Sequence, residues 1–473
     1  MQITILGGGS VGYAIAETLC NGYHAITVVE KDPQRAERLK ELDVKVINGS
    51  AADPSILFTA GVSNCDICLA VTGIEEINIL AASIAKARGA KRTVARVYSP
   101  YISNLGVFDY RDHFHIDRLV SLEQLTALEL VRLVRRSQSQ VLDLVSRGEL
   151  EVQEIHIEEN SPVIGVTLRE LRLPAKVRVA LLKRNGSAHL MTANDAFEKD
   201  DVISLTGTAE DINSVSKKYF NAKAPKAERV MIMGGGETGY YIAQALEHAN
   251  FEVIIFERDK ARCEFLAKHL SKSVSVVQAN GLSRRDLEEN QIDSVDSFIA
   301  CTGDDENNIM GAVEAKELGA KQVFAVVTRP DYAAIVKKLG IDRVVSPRTV
   351  MASRIRGLLN SGAVLMRTQL ANQSDIEVLE VEVLPGSEAC NKTIRNLGLP
   401  QQCLIAGIND QGFVLAPDAD YTIKAGNLII MLVHNQVFEQ ALEKFKVQRK
   451  NSLEKSPAYS CLSIWKSTRI ISI

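Results

Sequence analysis

Two doubly wound parallel α/β sheets, each followed by a small α+β module, are the fold class this sequence predicts. Three observations carry the prediction. The glycine turn Gly7-Gly8-Gly9-Ser10-Val11-Gly12 follows the apolar run Ile3–Leu6 and opens a helical pattern. The run Ala25–Val29 downstream ends in the acid Glu30. The arrangement recurs: Gly234-Gly235-Gly236-Glu237-Thr238-Gly239 follows Val230–Met233, and Val253–Phe256 ends in Glu257, at the same separation as Gly7 and Glu30.

Strand, glycine turn, helix, strand and acid make up the dinucleotide-binding βαβ unit of the Rossmann fold. Gly7 permits the tight turn, Gly9 lets a pyrophosphate approach the backbone, and Gly12 lets the helix sit close to the sheet. The helix N-terminus offers unpaired N–H groups and a partial positive charge to phosphates. Glu30 can accept hydrogen bonds from ribose hydroxyls and would repel a 2′-phosphate. The glycine turn therefore reads as a nucleotide site.

The chain has 473 residues, 46% hydrophobic and 24% charged, an ordinary globular balance for several domains. A net charge of −3 gives no global field for nucleic acid, which is not expected as a partner. No apolar run is long enough to span a bilayer. Residue 1 leads almost at once into a strand, leaving no room for a signal peptide, so a soluble, cytoplasmic protein is expected. Eight cysteines in so long a chain do not suggest a disulfide framework. Cys65 and Cys68 have CxxC spacing but sit in a strand pattern, at the places of Val295 and Phe298, and read as core. No metal-binding or catalytic cluster is predicted.

After Glu30 the pattern gives a polar helix over about 33–41 and a strand at Val44–Ile47 that ends in Asn48-Gly49-Ser50. Asp53 then caps a helix with Pro54 at its first position. The strand Ile67–Val71 ends at Thr72-Gly73. A helix follows over about 75–88, then the strand Arg92–Val97, a short helix near Tyr101 and the run Ile116–Ser121. Strands alternating with helices predict a parallel sheet covered on both faces. The second half repeats the order. Asn280-Gly281 is matched to Asn48-Gly49, Thr302-Gly303 to Thr72-Gly73 and Asn308 to Asn78. Thr328–Pro330 is matched to Tyr98–Pro100, and Ile341–Ser346 to Ile116–Ser121.

Apolar residues at helical spacing extend each half into a long helical segment, about 122–145 and 349–367. Arg132, Arg135 and Arg136 cluster on the first and read as a solvated face or a partner or phosphate contact. Each half then turns to short strands around a Leu-x-Leu-Pro motif, at Leu171–Pro174 and Leu397–Pro400, too small to be a separate enzyme. The expected plan is 1–120 Rossmann domain, 121–147 connecting helices and 148–220 module. It continues with 228–345 Rossmann domain, 346–372 connecting helices and 373–446 module. The tail, 447–473, fits no repeat and is read as either disordered or docked.

These residues together resemble the TrkA family, regulatory subunits of bacterial Trk-type potassium uptake. The likeness covers about residues 1–445. It rests on both glycine turns, Val46-Ile-Asn-Gly-Ser50, Ala70-Val-Thr-Gly73, Glu76-x-Asn78, Ala95-Arg-Val97, Ile309-Met310, both Leu-x-Leu-Pro modules and the duplication. The resemblance implies tandem RCK (KTN) domains, each a Rossmann unit with a small C-terminal module. It implies binding of NAD⁺ or NADH, and of ATP or ADP. It also implies a homo-oligomer, dimer or tetramer, on the cytoplasmic face beneath an integral-membrane potassium transporter subunit of TrkH or TrkG type. The nucleotide residues it implies are Gly7, Gly8, Gly9, Ser10, Val11, Gly12, Glu30, Ser50, Thr72, Gly73 and Arg96. In the second half they are Gly234, Gly235, Gly236, Glu237, Thr238, Gly239, Glu257, Gly281 and Thr302. Two departures set the second site apart: Val326 stands where Arg96 stands in the first, and Glu237 puts a negative charge beside the incoming phosphates.

The resemblance implies a ligand-gated regulatory subunit rather than an enzyme. The alternatives are an NAD-dependent oxidoreductase and an RCK-type regulator of another channel or transporter. A dehydrogenase needs an acid or base beside the nicotinamide. The modules' histidines, His156, His189 and His434, lie in or beside strands without obvious partners.

Overall fold

The computed structural model describes residues 1–446 except 21, 23, 100, 101, 103–107, 136–140, 146–149, 175, 186, 222–226, 248–250, 330, 331, 333–335, 361, 362, 370–374, 411 and 412. Arg136, Tyr101 in the short helix expected there, residues 222–226 between the two halves and the tail expected over 447–473 lie outside the described residues.

The first sheet is all parallel, built from β1 (Gln2–Leu6), β2 (Ala25–Glu30), β3 (Lys45–Asn48), β4 (Ile67–Ala70), β5 (Thr93–Val97) and β6 (Arg118–Ser121). Their order is β3-β2-β1-β4-β5-β6, which reverses at β1 and opens the crevice where such sheets bind ligands. One face buries Ile3, Ile5, Val28, Ile67, Leu69 and Val94. The other buries Leu6, Val29, Cys68, Ala70, Ala95 and Val97. That two-sided burial is why the strands read as continuous apolar runs. Cys65 and Cys68 are core residues, 1% and 0% exposed, with free thiols.

The main helices of this half are α1 (Ser10–Cys20), α2 (Pro33–Leu39), α3 (Pro54–Thr59) and α4 (Glu75–Ala87); a single turn at Tyr110–His113 precedes the last strand, and α5 (Leu122–Arg135) follows it. Asp53 caps α3 ahead of Pro54 through a 2.8 Å bond from the Ser55 amide, as the sequence predicts. The first module is an antiparallel sheet of β7 (Val141–Val145), β8 (Leu150–His156), β9 (Arg178–Arg184), β10 (Ser187–Leu190) and β11 (Val202–Gly207), closed by α6 (Ala209–Tyr219). Its order is β10-β9-β11-β8-β7.

The second half repeats both units. Its parallel sheet holds β12 (Glu228–Met233), β13 (Phe251–Glu257), β14 (Val274–Gln278), β15 (Ser297–Ala300), β16 (Gln322–Val326) and β17 (Arg343–Val345), in the order β14-β13-β12-β15-β16-β17. The helices are α7 (Glu237–Leu246), α8 (Lys260–His269), α9 (Arg284–Glu289), α10 (Asp305–Glu317) and α11 (Pro347–Asn360). The second module has β18 (Val364–Gln369), β19 (Ile376–Glu382), β20 (Cys403–Asp410), β21 (Phe413–Leu415) and β22 (Leu428–His434), then α12 (Phe438–Glu443). Its sheet order, β18-β19-β22-β20-β21, is that of the first module read from the other edge.

The long helical segments expected over 122–145 and 349–367 are each a helix followed by a strand. α5 stops at Arg135, and Val141–Val145 pairs antiparallel with β8; α11 stops at Asn360, and Val364–Gln369 pairs with β19. Short apolar runs suit either state, and the pairing partner decides between them.

The halves exchange their crossover helices. α5 leaves the first sheet and places Ala127, Leu130, Val131 and Val134 in the core of the second Rossmann unit, against Tyr240, Tyr241, Ile242 and Leu246 of α7. α11 returns the arrangement: Met351, Ala352, Ile355 and Leu359 join Val11, Ile15, Ala16 and Leu19 of α1. Each fully buried aliphatic side chain is worth about 1.5–3 kcal/mol, so either helix alone is a large fraction of a domain's stability. Arg135 is 3% exposed, not on a solvated face. It pairs with the equally buried Glu151 and donates from Nη2 to the Ala245 carbonyl at 2.7 Å; burial lowers its pKa to about 10. The two modules also pack sheet to sheet, through Leu150, Val152, Ala180 and Leu181 on one side and Ile376, Val378, Ala406, Ile430 and Leu432 on the other.

Candidate functional site

The first site forms where β1, β2 and β4 end. Gly7 has φ +105°, a backbone only glycine adopts without strain, and a Cβ there would lie 2.9 Å from the Thr72 backbone. At Gly12 a Cβ would meet the Gly7 carbonyl oxygen at 1.8 Å, so this glycine closes the turn on itself as well as seating the helix. Gly9 differs. Its Cβ would find only Arg35 Nη1, at 3.7 Å, and the space before its backbone is open. Ser10 is exposed at the head of α1, while Val11 is buried and can offer a ligand only its backbone.

Glu30 is 7% exposed and employs both carboxylate oxygens. Oε2 accepts from the Gly8 amide at 2.6 Å and Oε1 from the Asp32 amide at 2.8 Å. It thus holds the glycine turn against the start of α2, while each oxygen keeps a further lone pair for a ribose hydroxyl. Asp32 caps α2 through the amides of Gln34 and Arg35. The cap sets Arg35 in the first turn of α2, facing Gly9. The Arg35 side chain makes no hydrogen bond or ion pair among the described residues.

Thr72 and Gly73 follow β4 on the opposite wall. The Asn78 side chain, 0% exposed, fixes them: Oδ1 accepts from the Thr72 amide and hydroxyl, and Nδ2 donates to the carbonyls of Thr72 and Arg96. Glu75 takes the amides of Tyr98 and Ser99 in the same way. The Ser50 hydroxyl accepts from the Ala52 amide at 3.2 Å, forming a turn at the site's edge. Arg96 lies one residue before the end of β5 with Nη2 3.2 Å from Glu123 Oε1 on α5, so its charge is already paired, and partly buried.

The second site has the same frame. Gly234 has φ +110°, Glu257 takes the Gly235 and Asp259 amides at 2.8 Å each, and Asn308 binds Thr302 and the Val326 carbonyl as Asn78 binds Thr72 and Arg96. Gly303 lies open, as Gly73 does, and Thr238 follows Glu237 into α7. One match needs correction. Glu257 pairs with Gln278 across β13 and β14 as Glu30 pairs with Asn48, and Asn280 forms the turn that Ser50 forms. Asn280-Gly281 therefore lies two residues beyond the place of Asn48-Gly49. Gly281 is buried under Met233, where a Cβ would meet Cγ at 2.2 Å.

The sites part at the glycine turn. Arg262 occupies the place of Arg35, yet its Nη1 pairs with Glu237 Oε1 at 3.2 Å and its Nε donates to the Gly235 carbonyl at 2.6 Å. Burial pushes the Glu237 carboxyl above its usual pKa; Arg262 opposes the rise, and Glu123 and Glu75 add to it. Sequence reasoning passed over Arg35, Arg262, Glu75 and Glu123. The repeated spacing Asp32-x-x-Arg35 and Asp259-x-x-Arg262, three residues after a helix cap in both halves, was the available signal for the first two.

Comparison with known proteins follows this duplication. The TrkA-N domain model matches residues 3–106 and 230–347, and the TrkA-C domain model residues 152–219 and 378–446. The chain is 30% identical over 447 residues to the Trk system potassium uptake protein TrkA homolog of Archaeoglobus fulgidus, covering 94% of this chain and 100% of that one. It is 31% identical over 463 residues to the Trk system potassium uptake protein TrkA of Vibrio alginolyticus, covering 94% and 98%. Among solved structures, the GsuK RCK domain superposes with a TM-score of 0.53 at 20% identity, over 93% of this chain and 94% of that one. The GsuK channel bound to NAD gives 0.53 at 19%, over 93% and 78%. At that identity these two establish the shared fold. Among the described residues no helix is long and apolar enough to cross a membrane.

Proposed function

The chain belongs to the TrkA family, and from that premise we propose that it is a nucleotide-binding regulatory subunit of Trk-type potassium uptake. It acts on the cytoplasmic face, docked on an integral-membrane potassium transporter subunit, and couples the binding of NAD(H), ATP or ADP to potassium flux. One observation carries the reading: both halves hold a glycine turn closed from behind by an acid and open in front of Gly9 and Gly236, where a Cβ meets almost nothing. The turn presents helix N-terminal amides to a diphosphate, and Glu30 and Glu257 present oxygens to a ribose. The site residues of this reading are those of the two turns with Glu30, Glu257, Ser50, Thr72, Thr302 and Arg96; in the second half Asn280 takes the place of Gly281.

The reading includes the homo-oligomer that the resemblance implies. Each chain supplies two Rossmann units, so a dimer supplies four. Nucleotide shifts such an oligomer between arrangements only by its difference in affinity for them. The His189 and His434 side chains bear on the enzyme alternative. His189 Nε2 lies 3.7 Å from Asp195 in the first module, and His434 Nδ1 accepts from the Gln436 amide. Both sit in the modules, apart from the glycine turns.

Calorimetric titration of the full chain with the four nucleotides tests the reading. Gly9→Val fills the open space before the first turn and should abolish binding there. Glu30→Ala should weaken it about tenfold or more, since charge-assisted bonds are worth roughly 1.5–3 kcal/mol. Full affinity in both variants would place the ligand elsewhere.

A further inference from the structure

The exchanged crossover helices begin with opposite charges at equivalent places. Ser121-Leu122-Glu123 opens α5, and Ser346-Pro347-Arg348 opens α11. The Arg135–Ala245 bond joins the C-terminal ends of α5 and α7, so these helices run the same way along each other. Glu123 therefore enters at the N-terminal end of α7, which carries the second glycine turn; the upward push of Glu123 on the Glu237 carboxyl agrees with this placement. α11 lies on α1 through matching positions, Ala352, Ile355 and Leu359 in place of Ala127, Leu130 and Val134. Arg348 accordingly enters at the N-terminal end of α1, which carries the first glycine turn.

Their partners differ too. Glu123 is held by Arg96 at 3.2 Å. In the second half Val326 replaces Arg96, and among the described residues no carboxylate pairs with Arg348. Arg348 is partly buried, its Nε is shielded from water without an acceptor, and it makes no hydrogen bond or ion pair among the described residues. A guanidinium withdrawn from water needs an anion to offset its desolvation. Arg35 faces the first glycine turn from its own half, and matching α11 to α5 brings Arg348 to the same end of α1 from the other half; neither side chain makes a hydrogen bond or ion pair among the described residues. The second turn has its arginine taken by Glu237 and faces Glu123.

Resting on the nucleotide reading above, we propose that Arg348 is a phosphate-binding residue of the first site, supplied by the second half, and that it selects nucleotides with a terminal phosphate. A terminal phosphate carries more charge than either phosphoryl group of a dinucleotide's pyrophosphate bridge and has more free oxygens for a forked guanidinium. The first site is then the one for nucleoside di- and triphosphates. The second, where the Glu237 carboxylate holds Arg262 beside the turn, is left to ligands of lower charge.

The test uses the full chain with the second turn filled by Gly236→Val, titrated calorimetrically with AMP, ADP, ATP and NAD⁺. Adding Arg348→Gln should weaken ADP and ATP about tenfold, the size of one charged hydrogen bond, and leave NAD⁺ within about twofold. Arg348→Lys should restore part of the loss. Unchanged ADP and ATP affinity in Arg348→Gln, or an equal loss for all four ligands, overturns the proposal while leaving the nucleotide reading intact. Absence of binding by any of the four to the Gly236→Val chain overturns the nucleotide reading of the first site and this proposal with it.

Discussion

Glu237 Oε1 stands 3.2 Å from Arg262 Nη1, so the residue after the second glycine turn already holds the guanidinium that faces it. At the same places in the first half, Ser10 is exposed and the Arg35 side chain makes no pair among the described residues. The duplicated frame therefore presents two different surfaces to a phosphate.

Glu237→Ser should strengthen diphosphate binding in the second half, because it removes the competing carboxylate and frees Arg262. A gain of about tenfold corresponds to roughly 1.4 kcal/mol. Calorimetry with NAD⁺ on the full chain, the first turn filled by Gly9→Val, reads the second site alone. No gain in affinity would show that the ion pair does not compete with ligand.

The same pair gives the second site a pH dependence. Burial raises the Glu237 pKa, with Arg262 opposing and Glu123 and Glu75 adding to it. For a carboxyl whose folded pKa exceeds its unfolded one, the folded state disfavours the charge. That cost is absent below the usual glutamate pKa and develops as pH rises through the raised one. Protonated Glu237 releases Arg262, so NAD⁺ affinity in the Gly9→Val chain should rise as pH falls from neutrality toward the raised value. The profile should flatten in Gly9→Val/Glu237→Ser. An identical slope in both chains would assign the dependence to another group.

The exchanged helices predict how the halves behave alone. A chain of residues 1–220 keeps α5 but loses the α7 surface that covers Ala127, Leu130, Val131 and Val134, and its α1 loses α11. It should form a homodimer in which each α5 covers the other copy's α1, since an exposed face of that size is not tolerated in a monomer. Light scattering after size exclusion reads this directly. A stable monomer would mean that α5 folds back onto its own sheet.

Most of the fold was legible because local signals agreed. The glycine turns, the cap at Asp53 and the apolar parallel strands each specify one conformation, and the repeat states the plan twice. What was not legible depends on distant partners. Val141–Val145 and Val364–Gln369 are strands because β8 and β19 are there to pair with them. Arg135 reads as a surface residue along α5, yet Glu151 and the Ala245 carbonyl bury it. Nothing local to Glu237 reveals that Arg262 answers it, and nothing local to Arg348 reveals that its helix lies on the other half. The two-residue offset at Asn280-Gly281 escaped because an Asn-Gly pair recurs near the end of the third strand in both halves, while the strand register that separates them is set by Glu30 and Glu257.

The central claim is that nucleotide in these turns governs potassium flux, and the most direct measurement is potassium uptake into vesicles holding the cognate transporter subunit. Flux would be followed with no added chain, with the wild-type chain and with Gly9→Val/Gly236→Val, across NADH, NAD⁺, ATP and ADP. Flux should respond to the wild-type chain in a nucleotide-dependent way, and the double variant should bind the transporter but lose the nucleotide response. The same nucleotide response with both chains, or flux indifferent to the protein altogether, would contradict the account.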